Sequence, residues 1–154
     1  MKFLVAMDSS EYAYKIANYL AATVRQDVQI TLFTVLDTIP DDLTDKLKFH
    51  PNFMEKIEEL RKVEVGKASL LHEQLEKCKK ILVDAGIPEE NIKIHAASKK
   101  TGIARDIISE AERGEYDTVV VGRRGVSAIS SFIFGSVSNK VVHHLRGRTV
   151  WIVE

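Results

Sequence analysis

The stretch Asp117-Thr118-Val119-Val120-Val121-Gly122-Arg123-Arg124-Gly125 is followed ten residues later by Gly135-Ser136-Val137. A β-branched apolar run stops at one glycine, a second glycine follows three positions on, and a third precedes a small hydroxyl residue where a helical pattern begins. Glycine lets backbone come close to a bulky ligand and takes positive φ without strain. A helix start presents N–H groups without intrahelical acceptors, at the positive end of the helix dipole. The segment therefore reads as a strand, a close-approach loop and a helix start, an anion site suited to nucleotide phosphates.

Working outward, the same alternation recurs along the whole chain. Phe3 to Met7 is a short apolar run ending at Asp8, as expected of a strand buried on both faces. Asp8-Ser9-Ser10-Glu11 is a helix start, with Asp8 or Ser9 as cap, and Ile16, Leu20 and Val24 follow at helical spacing. Val28 to Leu36 is a second strand, and Thr38 to Asn52 a surface connection. A long helix is expected from about Phe53 to Val83. Its inner stripe runs through Ile57, Leu60, Ala68, Leu71, Leu75, Cys78 and Leu82. Glu64 falls on that stripe beside Gly66, so a bend or break is expected there. Gly86 and Pro88 end the helix. Asn91 to Ala97 is a third strand, Gly102 to Arg113 a helix, Asp117 to Val121 a fourth strand, Ser136 to Leu145 a helix and Thr149 to Val153 a fifth strand. The order βαβαβαβαβ predicts an α/β fold, a parallel sheet covered by helices on both faces.

The 154 residues suit one domain, 1–154. Lys and Arg total 22, as do Asp and Glu, so the basic excess common in nucleic-acid binders is missing and no nucleic-acid partner is expected. The lone Cys78 has no partner for an internal disulfide, which fits a reducing cytoplasm. No run is long enough to span a membrane, and Phe3 to Met7 is too short for a signal-peptide core, so no membrane partner is expected.

Ligands of open α/β sheets bind beyond the carboxyl ends of the strands, where the strand order reverses. Asp8, Val35 to Asp37 and Gly122 all stand at carboxyl ends. Strands one and four side by side would bring Asp8 and the glycine loop into one crevice, with backbone near Val35 meeting a base. Neither G-x-x-x-x-G-K-[ST] nor G-x-G-x-x-G is present: Gly135-Ser136 has no lysine between, and Ala6-Met7-Asp8-Ser9-Ser10 follows strand one. A P-loop NTPase and a standard dinucleotide enzyme are not indicated.

The set Gly122-x2-Gly125-x9-Gly135-Ser136 resembles the ATP-binding signature G-x2-G-x9-G-[ST] of the universal stress protein family, and the likeness extends over nearly the whole chain. The resemblance implies a Rossmann-like open five-stranded parallel sheet of order 3-2-1-4-5 and a bound ATP or related adenine nucleotide, with Mg2+ or Mn2+ as its companion ion. It further implies that Asp8 approaches the ribose or a phosphate-bound metal, and that Ala6 and Val35 border the adenine. Val121, Gly122 and Gly125 would line the ribose and phosphate path, and Gly135, Ser136 and Val137 would cup the phosphates. Arg123 stands where many relatives carry a small residue, so it either adds a phosphate contact or points to solvent. Ser98-Lys99-Lys100-Thr101-Gly102 replaces the commoner Gly-Asp-Pro turn and alters the local contour of the pocket.

Other residues have plainer readings. Asp8 serves as a helix cap as readily as a ligand, and both roles are compatible. His143 and His144 lie in a last helical turn, where polar or positive groups complement the dipole, and no metal site is expected. Lys99 and Lys100 read as a solvated loop. Thr149-Val150-Trp151-Ile152-Val153 is apolar on both faces yet sits at a sheet edge, which is an association hazard. A homodimer through this strand is expected, as in relatives. No catalytic constellation is visible, so the leading expectation is a cytoplasmic regulatory or stress-tolerance module with at most slow hydrolysis. Two alternatives stay open: a metal-dependent nucleotide hydrolase or transferase, and a dimerisation scaffold with a vestigial pocket.

Overall fold

The computed structural model describes residues 1–39, 51–124 and 135–154. Among these residues the elements are β1 (Lys2–Ala6), α1 (Tyr12–Thr23), β2 (Gln29–Leu36), α2 (Pro51–Asp84), β3 (Ile92–Ser98), α3 (Ile103–Arg113), β4 (Thr118–Gly122), α4 (Ser136–His144) and β5 (Thr149–Val153), with a 3-10 turn (Glu89–Asn91) before β3. All strand pairs are parallel and the order is β3-β2-β1-β4-β5. This is the open, five-stranded, helix-covered sheet that the alternating pattern and the family resemblance imply.

The apolar strand runs are explained by burial on both sides. Phe3 and Val5 of β1 and Val120 of β4 face α1 and α2, packing with Ile16, Leu20, Leu75, Cys78 and Leu82. Leu4 and the flanking Val119 and Val121 face α3 and α4, packing with Ile107, Ala111, Val141 and Leu145. Successive residues of a strand point to opposite faces, so a strand covered on both faces must be apolar throughout. Among the described residues, helices on both faces follow from the chain starting in the middle of the sheet, running to one edge and then crossing to the other.

Two local expectations are corrected. α1 has Glu11 at its N-cap position without a side-chain cap bond. Asp8 instead accepts the Ser10 N–H at 3.0 Å and the Ser10 hydroxyl, holding the turn between β1 and α1. α2 runs without interruption through Glu64 and Gly66. A side chain at Gly66 would meet open space, so the glycine relieves no crowding there, and Glu64 has an outside partner: its Oε1 accepts the Ile39 N–H at 2.7 Å. The connection expected over Thr38 to Asn52 lies mostly outside the described residues, and Pro51 and Asn52 already belong to α2.

Candidate nucleotide site

The strand order reverses between β1 and β4, and there a cleft of about 150 Å³ opens at the carboxyl ends of β1 and β2. Its floor is Ala6, Met7 and Asp8 from the end of β1 and Phe33, Thr34 and Val35 from β2. Parallel pairing sets Ala6 abreast of Phe33 on one side and Val121 on the other. The Met7 N–H donates to the Phe33 carbonyl at 2.9 Å, carrying the ladder into the cleft floor. Leu71 of α2 and Ile103 and Ile107 of α3 form the side walls. The cleft is thus apolar on the β2 side, with Asp8 as its carboxylate. An apolar slot with a few polar groups is the usual make-up of a small-molecule site.

Beyond β4, backbone and side-chain hydrogen bonds hold the chain. The Arg123 N–H donates to the Val153 carbonyl at 2.7 Å, continuing the β4–β5 ladder. The Gly135 N–H donates to the Arg123 carbonyl at 2.8 Å, and the Ser138 hydroxyl donates to the Gly122 carbonyl at 2.5 Å. These bonds fasten the start of α4 to the exit of β4. Packing is tight at Gly122, where a Cβ would stand 3.0 Å from the Arg124 carbonyl oxygen, and looser at Gly135, where one would stand 3.4 Å from the Arg124 Cα. Gly135 is the N-cap residue of α4, so Ser136, Val137 and Ser138 form its first turn.

Among the residues expected in the site, Ala6, Asp8 and Val35 line the cleft. Val121 is buried beside Ala6, and Gly122, Gly135, Ser136 and Val137 gather at the β4–α4 junction. The Arg123 guanidinium pairs with Glu154. Gly125 lies outside the described residues. Lys99 pairs with Asp37 across the ends of β3 and β2. Among the described residues, no three His, Cys, Asp or Glu side chains are grouped as metal ligands.

Several site residues were not singled out by the sequence. Leu71, Ile103 and Ile107 read as core because the wall of an apolar cleft has the same helical spacing as a buried face. Ser138 carried one signal, a small hydroxyl within the first turn of α4. Asp106 organises the turn that departs from the family pattern. Its carboxylate accepts the N–H groups of Lys100 at 2.8 Å and Thr101 at 3.1 Å, and the Thr101 hydroxyl at 2.8 Å. Partial burial acts to raise the Asp106 pKa, but these backbone and hydroxyl bonds together hold it below the ordinary carboxylate value.

Fold and cleft define a class: a parallel α/β protein with a cleft at the carboxyl ends of the central strands of its sheet. The model of the universal stress protein family matches residues 1–153, and the chain belongs to that family. It is 28% identical over 152 residues to universal stress protein Sll1388 of Synechocystis, covering 94% of this chain and 92% of that protein. Universal stress protein UspA from Lactobacillus plantarum has a TM-score of 0.72 at 22% identity, over 100% of this chain and 97% of that one. The Archaeoglobus fulgidus universal stress protein in complex with dAMP has a TM-score of 0.65 at 18% identity, over 100% and 98%. Other matching structures are a universal stress protein with cAMP and an Arabidopsis thaliana family member with AMP.

Proposed function

We propose that this chain is one adenine-nucleotide-binding domain over residues 1–154, a cytoplasmic stress-tolerance or regulatory module that holds ATP or a related nucleotide. The observation that carries this reading is the joining of Ala6, Asp8 and Val35 in one cleft beside the β4–α4 junction. The base lies against Val35 and Ala6, Asp8 meets the ribose hydroxyls, and the phosphates run along Val121 and Gly122 toward Gly135, Ser136 and Val137. Gly125 belongs to the same phosphate path. Relatives solved with dAMP, cAMP and AMP support an adenine ligand. Mg2+ or Mn2+ accompanies the phosphates when ATP is the ligand. Hydrolysis is slow, below the usual enzyme range of about 1 per second.

The test is direct. Small molecules released on denaturing freshly purified protein should include an adenine nucleotide by mass spectrometry, and calorimetry should give binding of ATP, ADP or AMP. Gly125→Val should abolish that binding with an unchanged melting curve. Absence of any released or titratable adenine nucleotide overturns the reading.

A further inference from the structure

Asp8 lines the cleft, and the turn that follows it orients its carboxylate. The Ser10 N–H donates to Asp8 Oδ1 at 3.0 Å, and the Ser10 hydroxyl donates to the same oxygen. Two donors on one oxygen fix the plane of a carboxylate, and with it the directions of its other acceptor sites. Where Ser10 sits therefore decides how Asp8 faces the cleft.

Ser10 is in turn held by a distant helix. The half-buried Gln74 on α2, 64 residues along the chain, donates its Nε2–H to the Ser10 carbonyl at 2.8 Å. α1 contributes the Ala13 N–H to the same carbonyl at the longer distance of 3.2 Å, and its N-cap residue Glu11 makes no side-chain cap bond. Gln74 has a firm support. The next residue, Leu75, is packed in the core, and Leu71 one turn earlier walls the same cleft as Asp8 and Ser9. A polar side chain on a rigid, well-packed element is suited to hold a binding group in one geometry.

We infer that Gln74 is a positioning residue for Asp8. Through the Ser10 carbonyl it sets the turn whose two donors orient the carboxylate, and so gives the cleft its preference for a sugar with neighbouring hydroxyls over one without them. This role rests on the nucleotide reading above and deepens it. A carboxylate held in one plane is preorganised to accept two neighbouring O–H donors, and one free to turn must be ordered when the ligand binds.

The experiment is calorimetry of the full chain with AMP and with dideoxy-AMP, whose sugar lacks both hydroxyls. The parent chain should favour AMP. Gln74→Glu keeps the shape and packing of the side chain but, as a carboxylate, has no N–H to donate. It should weaken AMP by about threefold to tenfold, the scale of one hydrogen bond, and leave dideoxy-AMP within about twofold. Gln74→Ala should do the same. Thermal melting checks that each variant is folded, and either one carries the test if the other is not. Folded variants with the parent's preference for AMP overturn the role of Gln74. An equal loss for both ligands also overturns it, because a merely distorted cleft would not distinguish the two sugars. A parent that binds both ligands equally well overturns the meeting of Asp8 with the sugar, and the role of Gln74 with it. A parent that binds neither overturns the nucleotide reading itself.

Discussion

Ser138 Oγ donates to the Gly122 carbonyl at 2.5 Å, fastening the first turn of α4 to the last residue of β4. The two residues are 16 apart in the chain, and Ser138 is buried. Ser138→Ala leaves the carbonyl without its partner at a cost of about 1 kcal/mol. For a domain of this size the melting temperature should drop by about 2–4 °C. Differential scanning calorimetry checks this, and an unchanged midpoint would mean that the bond contributes nothing.

Asp106 gives the turn before α3 a pH dependence of known sign. Its carboxyl is held below the ordinary value, with burial opposing and the bonds from Lys100, Thr101 and Gly102 prevailing. A depressed carboxyl stabilises the fold above the unfolded pKa of about 3.9, and this is lost as pH falls through the folded value. Asp106→Asn should therefore be less stable than the parent at pH 7. The gap should close as pH is lowered below about 4. Urea titrations across that range measure it, and a gap independent of pH would contradict it.

Leu75 and Leu60 lie on the same predicted stripe of α2 but differ in burial, 1% against 52% exposed. Leu75→Ala should cost about 2–5 kcal/mol. Leu60→Ala should stay within about 0.5 kcal/mol, the usual range for a surface site. Chemical denaturation of both variants compares them, and equal costs would place both leucines in one core.

Cys78 is fully buried, and desolvation pushes its thiol up to about 11. The thiolate is the reactive species, so the native protein should resist thiol reagents at pH 8 and react fully once unfolded in urea. Rapid labelling of the native chain would show that the helix opens readily around residue 78.

β5 is an edge of the sheet, and Ile152 on it is 36% exposed. Pairing of this strand with a second copy across a two-fold axis is the arrangement we propose. Ile152→Lys places a charge on that edge and should shift sedimentation from dimer to monomer with little change in the monomer's melting. A parent chain that sediments only as the 17.3 kDa monomer at micromolar concentration removes the proposal.

Much of the fold was legible because two-sided burial leaves a strong mark. Strands such as Val119-Val120-Val121 are apolar on both faces, and Gly86 takes φ of 95° to close α2 where the sequence puts a stop. The continuity of α2 was not legible. Glu64 looked like a fault in an apolar stripe because its partner, the Ile39 N–H, lies 25 residues away. Leu60 looked buried because periodicity reports which face points inward, not how far the sheet beneath extends. α2 has 34 residues, about 51 Å at 1.5 Å each, whereas the eight residues of β2 span about 26 Å. The helix is longer than the sheet it packs on, and its early turns are unevenly covered: Leu60 is exposed although Ile57, three residues before it, is buried.

By itself the sequence determined the alternating α/β order, the family and the placing of Asp8, Gly122 and Gly135 at strand and helix ends, because each is written in local spacing. Tertiary structure decided what those positions meet. The pairing of Ala6 with Val121 sets the β1 end beside the β4 exit, Ser138 joins Gly122, and Asp106 shapes the turn that leads into α3. It also separated two adjacent arginines, one tied to Glu154 and one whose Nε is withdrawn from solvent. Chain neighbours share a position in sequence, but the acceptors around them come from distant segments, and only the packed fold brings those segments within hydrogen-bonding range.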